Sequence, residues 1–386
     1  MAAGVLLVKT EAWAIRSGDG PGALERIELT LRPPGPHEVL VEPLYGSWEA
    51  NMSHAIARRP VDVCKMRNEP FVVLGNSGVG RVVACGPGVT LAEGDVCLYA
   101  LPHEFDPYGY PERLMGFDRP HVHGLLARRG LWRAEDLHPL PKDTRHSLRQ
   151  WAAFSVRFLS AWSSWKVAHG AWRLQMDESD QRVPYVFGWG GGTTLATLQL
   201  ARLFGADATM VASSPARLEQ IESLGIHPLD RRDYLDLVHD ETRMKDPAYA
   251  ARYREAERRF LRDVRGRTEG RGASIFFDYI GTPVLRATLK ALARQGVLAT
   301  AGWLEGRDTN LNRARECVSR HIHVHTHGYR RQEVAPAVAF AEANDWVPTI
   351  HDEERVYTFD GIDELAEDFA AGRVTSYFPV FEINPA

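Results

Sequence analysis

Cysteine is scarce in this chain of 386 residues: Cys64, Cys85, Cys97 and Cys317 are the only four, and no two are closely spaced. That excludes a disulfide framework and a knuckle of paired zinc-binding cysteines. A basic excess is missing as well. Lys and Arg total 46 against 50 Asp and Glu, a formal net charge of −4, so no nucleic-acid partner is expected. No apolar run approaches the ~20 residues of a membrane helix. The four-residue apolar run in the opening MAAGVLLVKT is too short for a secretory core. No internal repeat and no low-complexity stretch is visible. The expectation is a cytoplasmic protein of enzyme size, large enough for two or three folding units.

What is there changes character along the chain. Up to about residue 145, short apolar runs alternate with Gly and Pro: HEVLVEPLYG (His37–Gly46), PFVVLG (Pro70–Gly75), GVGRVVACGPGV (Gly78–Val89) and GDVCLYALP (Gly94–Pro102). This punctuation predicts a mostly β region. His146–Trp172, rich in Ala and aromatics, predicts a long helix. From Tyr185 strand and helix patterns alternate: Tyr185–Phe187, a helix carrying Ala196, Leu200, Leu203 and Phe204, then Ala208–Ala212, a helix over Arg217–Leu224, Ser274–Asp278, a helix over Val284–Arg294, and Gly296–Gly302. That order marks a parallel α/β sheet. Arg231–Gly272 is charged and long for a connection, so it reads as a helical insertion with a solvated face. A helix over Ala335–Asn344 and a strand within Ser376–Ile383 are expected to complete the first domain.

The sharpest chemical signal is YVFGWGGGTTLATLQLARLFGA (Tyr185–Ala206). A strand ending in glycines and opening into a helix is the geometry that receives a dinucleotide: glycines let the backbone approach a pyrophosphate, and free helix N–H groups meet its charge. Gly188, Gly190, Gly191 and Gly192 are present, while Thr193 and Thr194 stand where a third glycine falls; their hydroxyls are read as possible phosphate donors. At the end of the next strand an acid would favour NAD, and hydroxyl and guanidinium groups a 2′-phosphate. MVASSPARLEQ (Met210–Gln220) offers Ser213, Ser214 and Arg217 and no acid before Glu219, which points to NADPH. The alternative for either serine is an ordinary helix cap.

This order of parts resembles the medium-chain dehydrogenase/reductase superfamily along essentially the whole chain, with GNSGVGRVVACGPGVTLAEGDVC (Gly75–Cys97), FFDYIG (Phe276–Gly281) and GVLATAGW (Gly296–Trp303) carrying the likeness. The resemblance implies an α/β protein, a Rossmann cofactor domain joined to a mostly β, GroES-like substrate domain. It places the substrate domain at 1–155 and 325–386, the NADP-binding domain at 156–324, and the charged insertion at about 231–272 within it. Gly302 and Trp303 are carried over as cofactor contacts. Zinc members have a cysteine near residue 46 and a His-Glu pair after the signature glycine; here the stretches read LYGSWEANMSH (Leu44–His54) and GNSG (Gly75–Gly78), so no metal is expected. Among zinc-free members the chain is similar to the crotonyl-CoA reductase/carboxylase branch, through VASSPARLEQIESLG, the charged insertion and HVHTHGYR (His323–Arg330). That implies hydride transfer from NADPH to an enoyl thioester. Carboxylating members add an asparagine, a Phe-Glu pair and a histidine. Phe117-Asp118 stands for the pair and His325 or His327 for the histidine, but the asparagine has no counterpart near Gly46 or Ser47.

Candidates for positioning or protonating the substrate are Tyr45, Trp48, Asn51 and His54, with Asp118, His325 and His327. Trp48 also reads as core and His54 as a solvated surface histidine. His321, His323, His325 and His327 would share one face of a strand, as active-site lining, a metal site or packing; His121 and His123 stand near Phe117 and Asp118 and are open to the same readings. The expected function is zinc-independent, NADPH-dependent reduction of an activated C=C bond, in an enoyl thioester or enone. A quinone or ketone reductase, a reductive carboxylase, and an NADP-binding module without turnover remain as alternatives. The expected substrate is a small molecule, borne on coenzyme A or a carrier protein, with Arg252–Arg271 read either as its docking surface or as a solvated helix. A homodimer is expected by analogy.

Overall fold

A computed structural model describes residues 7–100, 103–177, 179–180, 182–301, 310–325, 328–351 and 354–386. The chain divides into two compact units, Met1–Leu159 with Tyr329–Ala386, and Ser160–Gly328. No helix among the described residues is long and apolar enough to cross a membrane.

The first unit begins with β1 (Val8–Arg16), β2 (Leu24–Leu31), β3 (Glu38–Ser47), α1 (Ala50–Ala57), α2 (Val63–Arg67), β4 (Phe71–Val73), β5 (Gly78–Cys85), β6 (Val96–Tyr99), β7 (His103–Phe105), β8 (Pro111–Leu114), β9 (Gly130–Arg133) and β10 (Leu137–Pro139). β2, β1 and β4 form one antiparallel sheet, and β10, β6, β5 and β3 form the spine of a second. Pro43 falls inside β3, where it cannot donate to a ladder; the β3–β5 register shifts there, between Pro43 and Tyr45. The sheets close on a core that includes Trp13, Ile15, Val41, Trp48, Val72, Leu125 and Phe381.

α3 (Leu148–Arg173) is the expected long helix, bent at Ser155, whose backbone is non-helical (φ −16°, ψ −112°) and whose hydroxyl donates to the Tyr99 carbonyl. The second unit continues as β11 (Tyr185–Trp189), α4 (Gly192–Leu203), β12 (Asp207–Ala212), α5 (Pro215–Ser223), β13 (His227–Asp230), α6 (Pro247–Arg267), β14 (Ala273–Asp278), α7 (Thr282–Ala291), β15 (Leu292–Thr300) and β16 (His323–His325). All its strand pairs are parallel, in the order β13-β12-β11-β14-β15-β16. That is the doubly wound order, whose direction reverses between β11 and β14; ligands of such sheets sit at the carboxyl ends of those strands.

Several expectations need correction. The charged insertion is solvated on one face only: Tyr249, Tyr253, Phe260 and Val264 of α6 are buried, and Phe260 lies 4.7 Å from the Trp189 ring. It is a core crossover helix. β15 begins at Leu292, taking over the last residues assigned to the preceding helix, because Leu292 pairs with Ala273 before the register shift. The four histidines do not share a strand face. β16 holds only His323–His325, His321 lies before it at φ 54°, and His327 falls outside the described residues.

The chain returns to the first unit through α8 (Val334–Asn344), β17 (Tyr357–Thr358), α9 (Ile362–Ala370) and β18 (Val380–Glu382). β18 pairs antiparallel with β3, Phe381 opposite Gly46. Trp346, just after α8, packs on Phe154 and Phe158 of α3.

Candidate functional site

Two polar constellations stand out, one in each unit. In the second unit, β11 delivers Trp189 to the carboxyl edge of the sheet. Gly190 follows at φ 142°, and Gly191 precedes α4 with no side-chain cap and no acid in the first turn. The amides of that turn are therefore open to an anion. A Cβ on Gly191 would meet nothing within 4 Å, whereas one on Gly190 would stand 2.3 Å from Thr194 Oγ1 and one on Gly188 2.4 Å from Thr194 Cγ2. Thr194 thus fills the space that the two glycines leave. Its hydroxyl donates to the Trp189 carbonyl (3.1 Å), so it is spent on the loop, which corrects the expectation of a phosphate donor there. Thr193 is half-buried and its hydroxyl makes no hydrogen bond among the described residues.

At the end of β12, Ser213 is exposed, and Ser214 and Arg217 are half-buried. Ser214 occupies the cap position of α5 yet makes no capping hydrogen bond, which leaves its hydroxyl for another partner. On the other side of β11, β14 ends in Asp278, fully buried, which accepts from Ile280 N (3.0 Å), Gly281 N (2.9 Å) and Thr288 Oγ1 (3.0 Å). Burial pushes its carboxyl up and these bonds pull it down. Trp189 Nε1 donates to Thr288 Oγ1 at 2.8 Å, tying both strand ends together. Gly302 and Trp303 lie outside the described residues.

In the first unit, the end of β3 carries a buried ion pair. Glu49 and Arg157 meet at 3.0 Å, 8% and 5% exposed. Arg157 donates to Ser47 Oγ at 2.6 Å and to the Trp48 carbonyl, while Ser47 donates to Pro379 O at 3.0 Å. The Ser77 hydroxyl donates to the Ala152 carbonyl of α3 at 3.2 Å. Burial pushes Glu49 up, against the pull of Arg157 and Ser77, and pushes the Arg157 guanidinium down. The pair stitches β3, α3 and the β18 approach into one polar knot.

The remaining candidates are spread over both units. Tyr45 is half-buried on β3, with the Arg149 guanidinium 5.9 Å from its ring centre. Asn51 and His54 sit on α1. Asn51 Oδ1 is buried without a partner, and His54 is half-buried rather than solvated, its ring pushed down by desolvation. Trp48 is core. The Asp118 carboxylate accepts from Leu114 N (2.5 Å), closing its own turn; burial pushes it up. His325 belongs to the second unit; burial and then His323 push it down, and its Nε2 is buried without a partner. Glu49, Arg157, Asn76 and Asp278 escaped the sequence reading. An arginine alone in the apolar run of α3 was the one signal available.

Zinc does not fit these donors. Ser47, Asn76 and Ser77 are poor ligands, and Glu49 is held by Arg157. Cys97 is buried, with its thiol pushed up to about 12 by desolvation. Among the described residues no three His, Cys, Asp or Glu side chains group as a metal site.

The sequence model of the zinc-binding dehydrogenase family matches residues 192–343. Crotonyl-CoA reductase of Streptomyces collinus is 25% identical over 315 residues, covering 75% of this chain and 67% of that protein. Among solved structures, crotonyl-CoA carboxylase/reductase AntE in complex with NADP superposes with a TM-score of 0.80 at 21% identity, covering 98% of this chain and 95% of that one. The 2-octenoyl-CoA carboxylase reductase CinF, with NADP and 2-octenoyl-CoA, gives 0.77 at 20% identity over 97% and 87%. An NAD-dependent alcohol dehydrogenase gives 0.74 at 23% over 97% and 100%. The doubly wound unit and the β-rich unit share the fold of these structures, and in sequence the chain is similar to the zinc-binding dehydrogenase model over 192–343 and to a crotonyl-CoA reductase.

Proposed function

We propose that this protein is an NADPH-dependent reductase of an activated C=C bond, in an α,β-unsaturated thioester or enone, acting without zinc. The observation that carries the cofactor reading is the uncapped start of α4 beside a β12 end bearing Ser213, Ser214 and Arg217 and no acid. The first receives a pyrophosphate; the second offers hydroxyl donors and a fixed positive charge to a 2′-phosphate. Gly188, Gly190, Gly191, Gly192 and Thr193 are the loop contacts, and Thr194 fixes the loop's shape.

Bound NADPH supplies a hydride; in balance, enoyl thioester, NADPH and a proton give the saturated thioester and NADP+. The chain's own part is to hold the acyl group and stabilise the charge that moves onto its carbonyl oxygen. The thioester class is supported by the names of its relatives, a crotonyl-CoA reductase and a 2-octenoyl-CoA carboxylase reductase. Reduction without CO2 fixation is the favoured reading. Asp118 is engaged by the Leu114 amide, and Ser47 is held by Arg157 and Pro379.

Titration of the purified protein with NADPH and NADH, followed by nicotinamide fluorescence, tests the cofactor reading. NADPH is expected to bind at least about tenfold more tightly, and Arg217→Ala to remove most of that preference, since a charge-assisted bond is worth about 1.5–3 kcal/mol. Equal affinity for the two nucleotides, or tighter NADH binding, contradicts it.

A further inference from the structure

β5 is entered through Gly75-Asn76-Ser77-Gly78, and the backbone on both sides of Asn76 is tightly held. Gly75 lies at φ 102°, in the left-handed region. Other segments of the chain close on it: a Cβ on Gly116 would stand 2.4 Å from the Gly75 carbonyl oxygen, and one on Gly124 2.2 Å from that of Leu74. Leu125 N donates to Gly75 O and Ser47 N to Ser77 O, each at 2.9 Å. Ser77 Oγ donates to the Ala152 carbonyl at 3.2 Å, and Ser47 is held in turn by Arg157, the partner of Glu49.

In this rigid frame Asn76 is 1% exposed, yet neither end of its carboxamide is hydrogen-bonded among the described residues, and Oδ1 is wholly buried. A carboxamide withdrawn from water and left unpaired is costly, and such groups persist where another molecule completes them. A half-turn about the terminal torsion interchanges its two ends, so it can present either an acceptor or an N–H donor. It carries no charge and takes up no proton. Asn51, on the helix that follows the other side of the Ser47–Ser77 contact, also has a buried oxygen without a partner.

We infer that Asn76 is a substrate-binding residue whose carboxamide donates a hydrogen bond to the carbonyl oxygen of the acyl group, and that the Glu49–Arg157 pair is the positioning element that holds its strand. This rests on the α,β-unsaturated carbonyl substrate proposed above. A preset donor at that oxygen strengthens as negative charge gathers there, so it acts chiefly on the transition state.

The test uses the full chain as wild type, N76A and the isosteric N76D, which keeps the packing should the alanine variant fold poorly. Crotonyl-CoA reduction is followed by NADPH consumption. Binding of butyryl-CoA, its saturated counterpart, is measured by calorimetry with NADP+ present. Loss of one such donor is expected to lower kcat/KM about 100-fold, mostly in kcat, and to weaken butyryl-CoA binding less, with NADPH affinity unchanged. Variants that bind and turn over like the wild type would mean that water completes the carboxamide, overturning the inference. A wild type that binds NADPH but no butyryl-CoA overturns it too, leaving the cofactor reading intact. Weaker butyryl-CoA binding by the variants, with no thioester reduced even by the wild type, sustains the inference and removes the proposed reaction.

Discussion

Arg157→Met is expected to destabilise the first unit by about 3–5 kcal/mol, the cost of leaving a buried charge without its partner. Nothing else among the described residues can pair with Glu49 in its place: Ser47, Ser77 and the Trp48 carbonyl are neutral. Adding Glu49→Gln should recover much of the loss, because the double variant buries no charge. The effect should also depend on pH with a definite sign. Burial raises the Glu49 carboxyl in the fold, and Arg157 is the main opposing influence. A carboxyl whose folded pKa exceeds its unfolded one adds stability that is fully present below the unfolded pKa and fades as pH climbs through the folded pKa. Without Arg157 the folded pKa rises further, so the variant's deficit against wild type should be smallest in mild acid and grow toward neutral pH. Denaturant unfolding of the three proteins across that range checks this. A deficit under about 1 kcal/mol, or one unrelieved by Glu49→Gln, contradicts the ion-pair account.

Gly190→Ala should weaken NADPH binding by about ten- to a hundredfold, from roughly 1–3 kcal/mol of strain placed in the loop. Two costs combine. The φ of 142° is one that L side chains rarely adopt, and the new Cβ would stand 2.3 Å from Thr194 Oγ1. Thr194 cannot simply turn aside, since its hydroxyl is bonded to the Trp189 carbonyl and its methyl fills the space beside Gly188. The loop must therefore move away from the shape that exposes the first amides of α4. Pairing the change with Thr194→Gly removes the collision but not the backbone strain, so the double variant should regain part of the affinity. Fluorescence titration measures both. Unaltered NADPH binding by Gly190→Ala would show that the loop is not the phosphate cradle.

The doubly wound unit was legible because its strands are buried on both faces and bounded by helices, which leaves short β-rich runs such as SIFFD and ATMVA at regular intervals. The cofactor loop was legible in position but not in detail. That Thr194 stands between Gly188 and Gly190 is a matter of packing across one turn, invisible in the order of letters. α6 misled because arginines and glutamates dominate its composition, while Tyr249, Tyr253, Phe260 and Val264 gather on one face. The histidine run misled through periodicity: alternation predicts a shared face only while the chain stays extended, and His321 leaves that conformation at φ 54°. The Glu49–Arg157 knot joins residues 108 positions apart, and Asn76 became notable only through what fails to contact it. Such long-range polar pairing carries no local pattern.

The central claim is the reduction itself, and isotope transfer tests it most directly. The protein is incubated with crotonyl-CoA and NADPH carrying deuterium on the transferable position of nicotinamide C4, with bicarbonate present and after treatment with a metal chelator. The account predicts a saturated thioester bearing deuterium at the β-carbon, one NADP+ per product, no carboxylated product, and no loss of rate from chelation. Tight NADPH binding without transfer to crotonyl-CoA or to any other enoyl thioester or enone would contradict it, and would leave the chain a nucleotide-binding module built on a reductase fold.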